Sequence, residues 1–328
     1  MLVVKLAALG DVVQAFGPFA AIRAHHGPAT RVTLLTTPPY APLLRRAPWF
    51  DEVWDFGRPA WSDPRGLLRL ARSLRGGRFD RVYDLQTSAR SSRYRALVGR
   101  RAEWSGIARG ASHPHANPAR DAMHTAERQR EQLEAAGIAA FPDPDLSWLG
   151  GDVSGLGLPE WPFALLVPGA SPARPGKRWP HYPALARALP MPVAVAGGPA
   201  ERPLAAEIAA VLPPGRAVDL TGRTDLVALA AVARRAALAV GNDTGPTHLA
   251  AAVGCPTVAL FGPDSDPALC APRGPGGVRV IRRAPLADLS PDEVAASLAS
   301  LRVPRTDGRW SSRHAPAGSP LAPPSAPP

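Results

Sequence analysis

One pattern recurs along nearly the whole chain: a short apolar run, a polar turn, a helix-like segment, then another apolar run. In the second half the runs are FALLVPGA (163–170), VAVAGG (193–198), AVDLTG (217–222), ALAVGND and TVALFG (257–262). They are short and apolar throughout, which suits strands buried on both faces of a parallel sheet. HYPALARAL, AERPLAAEIAAVL, DLVALAAVARRA and PTHLAAAVG stand between them as helix candidates. The first half alternates in the same way. LVVKLA (2–7), RVTLLTT (31–37), VWDF and RVYDLQ (81–86) are separated by a helix from Val12 to about His26, by PLLRRA and by GLLRLARSLRGG. SSRYRALVG follows, and a helix from about His124 to Ala136 ends at Gly137 as a C-cap. The expectation is α/β, with parallel doubly wound sheets.

The alternation breaks once, at FPDPDLSWLGGDVSGLGLPEWP, whose Pro, Gly and Asp content marks a linker. With 328 residues there is room for two domains, expected at 1–155 and 156–305. SPDEVAASLASL (290–301) supplies a last helix, with Ser290 as N-cap and Pro291 in the first turn. Residues 306–328, ending APAGSPLAPPSAPP, cannot bury a core and are expected to form a disordered tail. Ligands of doubly wound domains sit outside the carboxyl ends of the strands, so two facing domains make a central cleft.

Composition removes several classes. No apolar run approaches the roughly 18 residues of a spanning helix. The start, MLVVKLAALGDVV, reads as a first strand and not as a signal peptide. Cys255 and Cys270 lack CxxC spacing, so no disulfide framework or zinc site is expected and the setting is cytoplasmic. The formal charge of +11 is almost all arginine, lysine occurring only at Lys5 and Lys177. The arginines read as scattered, and no nucleic-acid motif accompanies them. A basic surface would favour anionic lipid head groups or a phosphorylated substrate.

Four segments follow strand ends and carry chemistry. In Leu9-Gly10-Asp11 the aspartate either caps the next helix or stands as a carboxylate able to accept a proton. Pro168 to Trp179 is a Gly/Pro loop in which Ser171, Lys177 and Arg178 offer donors to phosphate, or is simply a solvated basic loop. Gly197-Gly198 precedes Glu201, which would bind ribose hydroxyls or merely complement a helix dipole. Asn242-Asp243-Thr244-Gly245-Pro246 runs into THLAAAVG. A helix start there leaves backbone N–H groups pointing outward, a natural anion site with Thr244, the Gly245 amide and His248 beside it. Asp143-Pro-Asp145 and Asp264-Ser-Asp266 read as loop acids. His113, His115 and His124 lack partners at ligand spacing, so no metal is expected.

The string Asp243-Thr-Gly-Pro-Thr-His248-Leu-Ala-Ala-Ala, followed by Pro256-Thr-Val-Ala-Leu-Phe-Gly-Pro263, resembles the signature of glycosyltransferase family 9, the lipopolysaccharide heptosyltransferases. Val4-Lys5-Leu with Leu9-Gly10-Asp11-Val, Pro168-Gly-Ala-Ser171 with Lys177-Arg-Trp-Pro180, and His124-Thr-Ala-Glu-Arg-Gln are similar to that family as well. The resemblance covers roughly residues 1–300. It implies GT-B architecture, two Rossmann-like domains facing a cleft, the first for the acceptor and the second for the donor. It also implies inverting transfer of heptose from ADP-heptose to a lipopolysaccharide core or related lipid-linked acceptor, without a bound metal or cofactor. Such an enzyme would work in the cytoplasm, with peripheral contact to the inner membrane. Asp11 would be the general base. Ser171, Lys177, Asp243, Thr244, Gly245 and His248 would hold the donor phosphates, and Glu201 the ribose. After Asp11-Val-Val the family continues into a Leu-Pro-containing helix, whereas this chain reads Gln14-Ala-Phe-Gly17-Pro18. That departure bears on the acceptor side. Three rivals stand: a nucleotide-sugar epimerase of the same fold, a catalytically silent nucleotide-sugar-binding protein, and nucleic-acid binding driven by charge.

Overall fold

The computed structural model describes residues 1–159, 162–299 and 301. The tail expected at 306–328 lies outside the described residues. The described chain forms two units, one of Met1–Gly150 with Ala268–Ala271, the other of Gly151–Pro267 and the described residues from Pro272 on.

In the first unit the strands are β1 (Leu2–Val4), β2 (Thr33–Leu35), β3 (Glu52–Trp54), β4 (Arg81–Asp84), β5 (Glu103–Gly106) and β6 (His113–Pro114). The helices are α1 (Leu9–Val13), α2 (Phe16–His26), α3 (Ala41–Leu44), α4 (Pro64–Gly76), α5 (Ala89–Ser92), α6 (Tyr94–Val98) and α7 (Thr125–Glu134). Every strand pairing is parallel, in the order β3-β2-β1-β4-β5-β6. Leu2, Val4, Leu35, Val82 and Trp104 join Leu70 and Leu74 of α4 in one buried cluster. The i, i+4 spacing of those two leucines fixes which face of α4 turns inward. The single helix expected from Val12 is two, α1 and α2, divided at Gln14-Ala15.

The second unit repeats the plan. Its strands are β7 (Ala164–Val167), β8 (Val193–Val195), β9 (Ala217–Asp219), β10 (Leu238–Asn242), β11 (Thr257–Phe261) and β12 (Val278–Arg282). Its helices are α8 (Tyr182–Ala188), α9 (Arg202–Ala210), α10 (Leu226–Arg235), α11 (Gly245–Ala252) and α13 (Pro291–Ala299); the short α12 (Pro267–Cys270), from Ala268 on, groups with the first unit. The order is β12-β11-β10-β7-β8-β9, again all parallel. β7, β8, β10 and β11 are buried residue for residue, as their apolar runs require.

Each sheet therefore reverses its winding once, between β1 and β4 and between β7 and β10. In doubly wound sheets such a reversal leaves a crevice outside the carboxyl ends of the two adjacent strands. Ligands bind in the crevice so formed.

Candidate active site

In the second unit the loops after β7 and β10 meet at the reversal point. Asn242, the last residue of β10, is fully buried and ties them together. Its Nδ2 donates to Pro168 O at 2.8 Å and Gly169 O at 3.1 Å. Its Oδ1 accepts from the Trp179 N–H at 3.3 Å and lies 3.1 Å from the Tyr182 hydroxyl. Close packing does the rest. A Cβ at Gly241 would stand 2.2 Å from Thr247 Oγ1, so only glycine lets α11 lie directly on the strand end. A Cβ at Gly262 would stand 2.0 Å from Gly176 O, which brings the turn after β11 against the loop that carries Lys177.

This scaffold assembles a charged triad. Lys177 Nζ lies 2.5 Å from Asp243 Oδ2, and His248 Nε2 lies 3.2 Å from Asp243 Oδ1. Asp243 is only 6% exposed. Burial alone would raise its pKa, but the hydrogen bonds from His248 and Lys177 and the lysine's charge outweigh it and hold the carboxyl at about 2. Thr244 stands at the N-cap of α11 without a side-chain cap hydrogen bond. Thr247 Oγ1 instead donates to Asn242 O at 2.7 Å. The first-turn amides of α11 are thus left uncapped by side chains, next to Lys177 and His248.

The other two donor-side candidates are placed differently. Glu201 Oε2 accepts from Gly198 N at 2.8 Å, a capping contact, while its side chain packs over the glycine backbones at 169 and 197. It reaches the loop after β7 from the end of β8. Ser171 is exposed on that loop, away from the triad's hydrogen bonds. Asp264, read from sequence as a bare loop acid, lies against Gly176 in the same loop cluster. Among the described residues no three His, Cys, Asp or Glu side chains group as metal ligands.

The first unit has its own polar cluster at the β1–β4 reversal. Gln86 Oε1 accepts from Leu6 N at 2.8 Å and Ala7 N at 3.1 Å, joining the two strand ends. The buried Lys5 donates to Leu85 O at 3.1 Å; burial lowers its pKa while Asp11 and Asp84 oppose that. Asp84 is wholly buried at the end of β4, and burial pushes its carboxyl up to about 7 despite hydrogen bonds from Ser91, Thr87 and Gln86. Asp11 Oδ2 accepts from Ala8 N at 3.0 Å, so the aspartate does cap α1. Charge surrounds it all the same. The field of Asp11 is felt at Lys5, at Arg128 on α7 and at Tyr40, whose hydroxyl reaches the Leu9 backbone. Neither Arg128 nor Tyr40 could be joined to Asp11 from sequence, since each lies far along the chain.

Two doubly wound parallel sheets in series, each with a polar cluster at its reversal point, define the GT-B class of fold. Residues 67–281 match the family model for glycosyltransferase family 9 (heptosyltransferase), and the chain belongs to that family. Lipooligosaccharide heptosyltransferase 2 of Haemophilus influenzae is 38% identical over 116 residues, so the alignment spans 33% of each of the two chains. The solved ADP-heptose LPS heptosyltransferase II of E. coli superposes with TM-score 0.72 at 25% identity, over 90% of this chain and 97% of that one. The family 9 glycosyl transferase of Veillonella parvula gives 0.70 at 22%, covering 92% and 91%. The E. coli heptosyltransferase WaaC with ADP gives 0.69 at 22%, covering 90% and 98%, a likeness of fold.

Proposed function

We propose that this chain transfers heptose, with inversion and without a metal, from ADP-heptose to a lipopolysaccharide core or related lipid-linked acceptor in the cytoplasm. The observation that carries the reading is the Lys177–Asp243–His248 triad beside the uncapped start of α11. A buried carboxylate would repel phosphate. Held at about 2 and hydrogen-bonded on both oxygens, Asp243 instead acts as the brace that orients the two cationic or donor groups. Lys177, the amides of Gly245 and Thr247, and the Thr244 hydroxyl then face the diphosphate, with Ser171 contributing from the loop and Glu201 taking a ribose hydroxyl. The leaving charge is met by fixed dipoles and a lysine, so the protein itself supplies the positive field.

On the acceptor side Asp11 is the base. Its Oδ2 is held by Ala8 N–H, which leaves Oδ1 to take the hydroxyl proton as the acceptor oxygen bonds to the anomeric carbon. The bond from that carbon to the diphosphate oxygen breaks on the opposite face, releasing the nucleoside diphosphate and inverting the centre. Arg128 and Lys5 place positive charge near it, since the charge of Asp11 is felt at both.

The test is a panel of nucleotide-sugars offered to the purified protein with and without a lipid-linked core acceptor. Release of the nucleoside diphosphate only when both substrates are present supports transfer. Conversion of the donor without acceptor identifies an epimerase, and donor binding with no turnover under either condition identifies a silent binder.

A further inference from the structure

The chain's positive charge is not spread evenly. Residues 58–110 hold thirteen arginines against four acids, a net +9 of the chain's +11. The reading of scattered arginines is therefore corrected: they concentrate in this segment, with Arg65, Arg69, Arg72 and Arg75 on α4, Arg90 on α5 and Arg95 on α6. Of the thirteen, only Arg81 forms an ion pair among the described residues, with Glu103. The acids are otherwise engaged. Asp63 caps α4 through Gly66 N at 2.9 Å, and Asp84 is buried.

On α4, Arg65, Leu68, Arg69, Arg72 and Arg75 recur at helical spacing and are all exposed, opposite the buried Leu70 and Leu74. This stripe is the outer face of a helix whose inner face is fully used by the core. The chain's three exposed large apolar side chains among the described residues are Trp61 (65%), Leu68 (47%) and Ile107 (36%), all in the same segment. Trp61 precedes α4 directly and carries the Arg90 guanidinium 4.2 Å from its ring centre, with Arg93 at 5.9 Å. Beyond α6, a recess of about 340 Å³ is lined by Arg95, Arg100 and Arg109 with Ser92. Arg95 Nε and Ser92 Oγ are buried there without hydrogen-bond partners.

We infer that the α4–α6 face of the first unit docks on an anionic phospholipid bilayer, with a headgroup phosphate entering the Arg95–Arg100 recess. Unpaired arginines supply the attraction to a negative surface, and a tryptophan and a leucine among them suit the headgroup boundary. A nucleic acid would answer the charge equally, and its binding is set against that of the bilayer in the experiment below. The choice of a bilayer rests on the proposed lipid-linked acceptor. Vesicle binding is measured without donor or acceptor, so its failure leaves the transfer reading untouched, and loss of transfer leaves this one.

The experiment is sedimentation of the full chain with vesicles of phosphatidylcholine alone and of equal parts phosphatidylcholine and phosphatidylglycerol. Each arginine near an anionic surface is worth roughly fivefold in partitioning. The Arg65→Glu/Arg72→Glu/Arg75→Glu variant should lose ~100-fold or more on the anionic vesicles. Arg65→Gln/Arg72→Gln, a milder change should the first not fold, should lose roughly 25-fold. Melting temperature and ADP affinity should stay at wild-type values in the variant that is scored. Trp61→Ser should weaken binding at high salt, where charge attraction is screened and apolar contact persists. The inference is overturned by equal wild-type binding to both vesicles, by charge variants that bind as wild type does, or by tighter, arginine-dependent binding to an unrelated oligonucleotide.

Discussion

Replacing Lys177 with methionine removes its charge while keeping most of its length, and the triad makes the consequence calculable. Asp243 ionises at about 2 instead of its ordinary 3.8. That difference is roughly 2.5 kcal/mol of stability at neutral pH. The folded pKa is depressed, so the contribution is fully present above 3.8 and fades as the pH falls through about 2. Without Lys177, burial of the carboxylate is opposed by the hydrogen bonds of His248 and Ser265 and by no neighbouring lysine charge. A fully buried pair broken on one side loses about 3–5 kcal/mol. Lys177 keeps some contact with water, so the expected loss is nearer 2–3 kcal/mol. Two units need not melt together, so calorimetry should follow the transition of the unit that contains the triad. A double-mutant cycle with Asp243→Asn isolates the pair, with an expected coupling of at least about 1 kcal/mol. In the same variant ADP should bind about 1.5–3 kcal/mol more weakly while adenosine is unaffected. Coupling below ~0.5 kcal/mol would refute the brace. Equal weakening of ADP and adenosine would place Lys177 away from the phosphates.

Other consequences are equally direct. Asp11→Asn should keep the cap on α1 and the donor affinity while slowing transfer by about 10²–10⁴-fold, and calorimetry beside turnover would expose a base that is only a cap. Asp84 has a raised folded pKa, so the stability it confers is complete below its ordinary 3.8 and is lost as the pH rises through about 7. Asp84→Asn should therefore gain on wild type between those limits, by at most about 4 kcal/mol, and a constant gap in melting temperature across that range would contradict this. Gly241→Ala should cost about 1–3 kcal/mol and weaken ADP, because its methyl group drives α11 off the strand end; a denaturant midpoint equal to wild type would show that the contact relaxes freely. Asn242→Ala should cost about 1–3 kcal/mol by leaving two buried carbonyls without donors, read from the same denaturation curves.

What could be read from the residues alone follows from burial. β7, β10 and β11 are mostly apolar because both faces are covered, and their strand ends locate Lys177, Asp243 and His248. β12 is an edge strand in which Val278 and Val280 alternate with Arg279, so it lacks that signal. β5 and β6 are hidden for another reason. β5 has Trp104 as its one large apolar residue and β6 is two residues long, so neither makes a periodic run. Nothing in the local sequence marks Asn242 as a tie between loops, because its work is done on Pro168, Gly169 and Trp179 some seventy positions away. The arginine face was missed on similar grounds: spacing on α4 is visible in one dimension, but its continuity with Arg90 and Arg93 through Trp61 is not.

In the proposed reaction the cluster at α11 and Lys177 holds a nucleoside diphosphate while a sugar passes to an acceptor. Mass spectrometry of a lipid-linked core acceptor after incubation with ADP-heptose and wild-type protein tests it most directly. The expected result is an acceptor heavier by one heptose, with one ADP released per acceptor modified, and neither product formed by Lys177→Met at the same donor concentration. Unmodified acceptor beside consumed or rearranged ADP-heptose, or full transfer by the Lys177 variant, would contradict it.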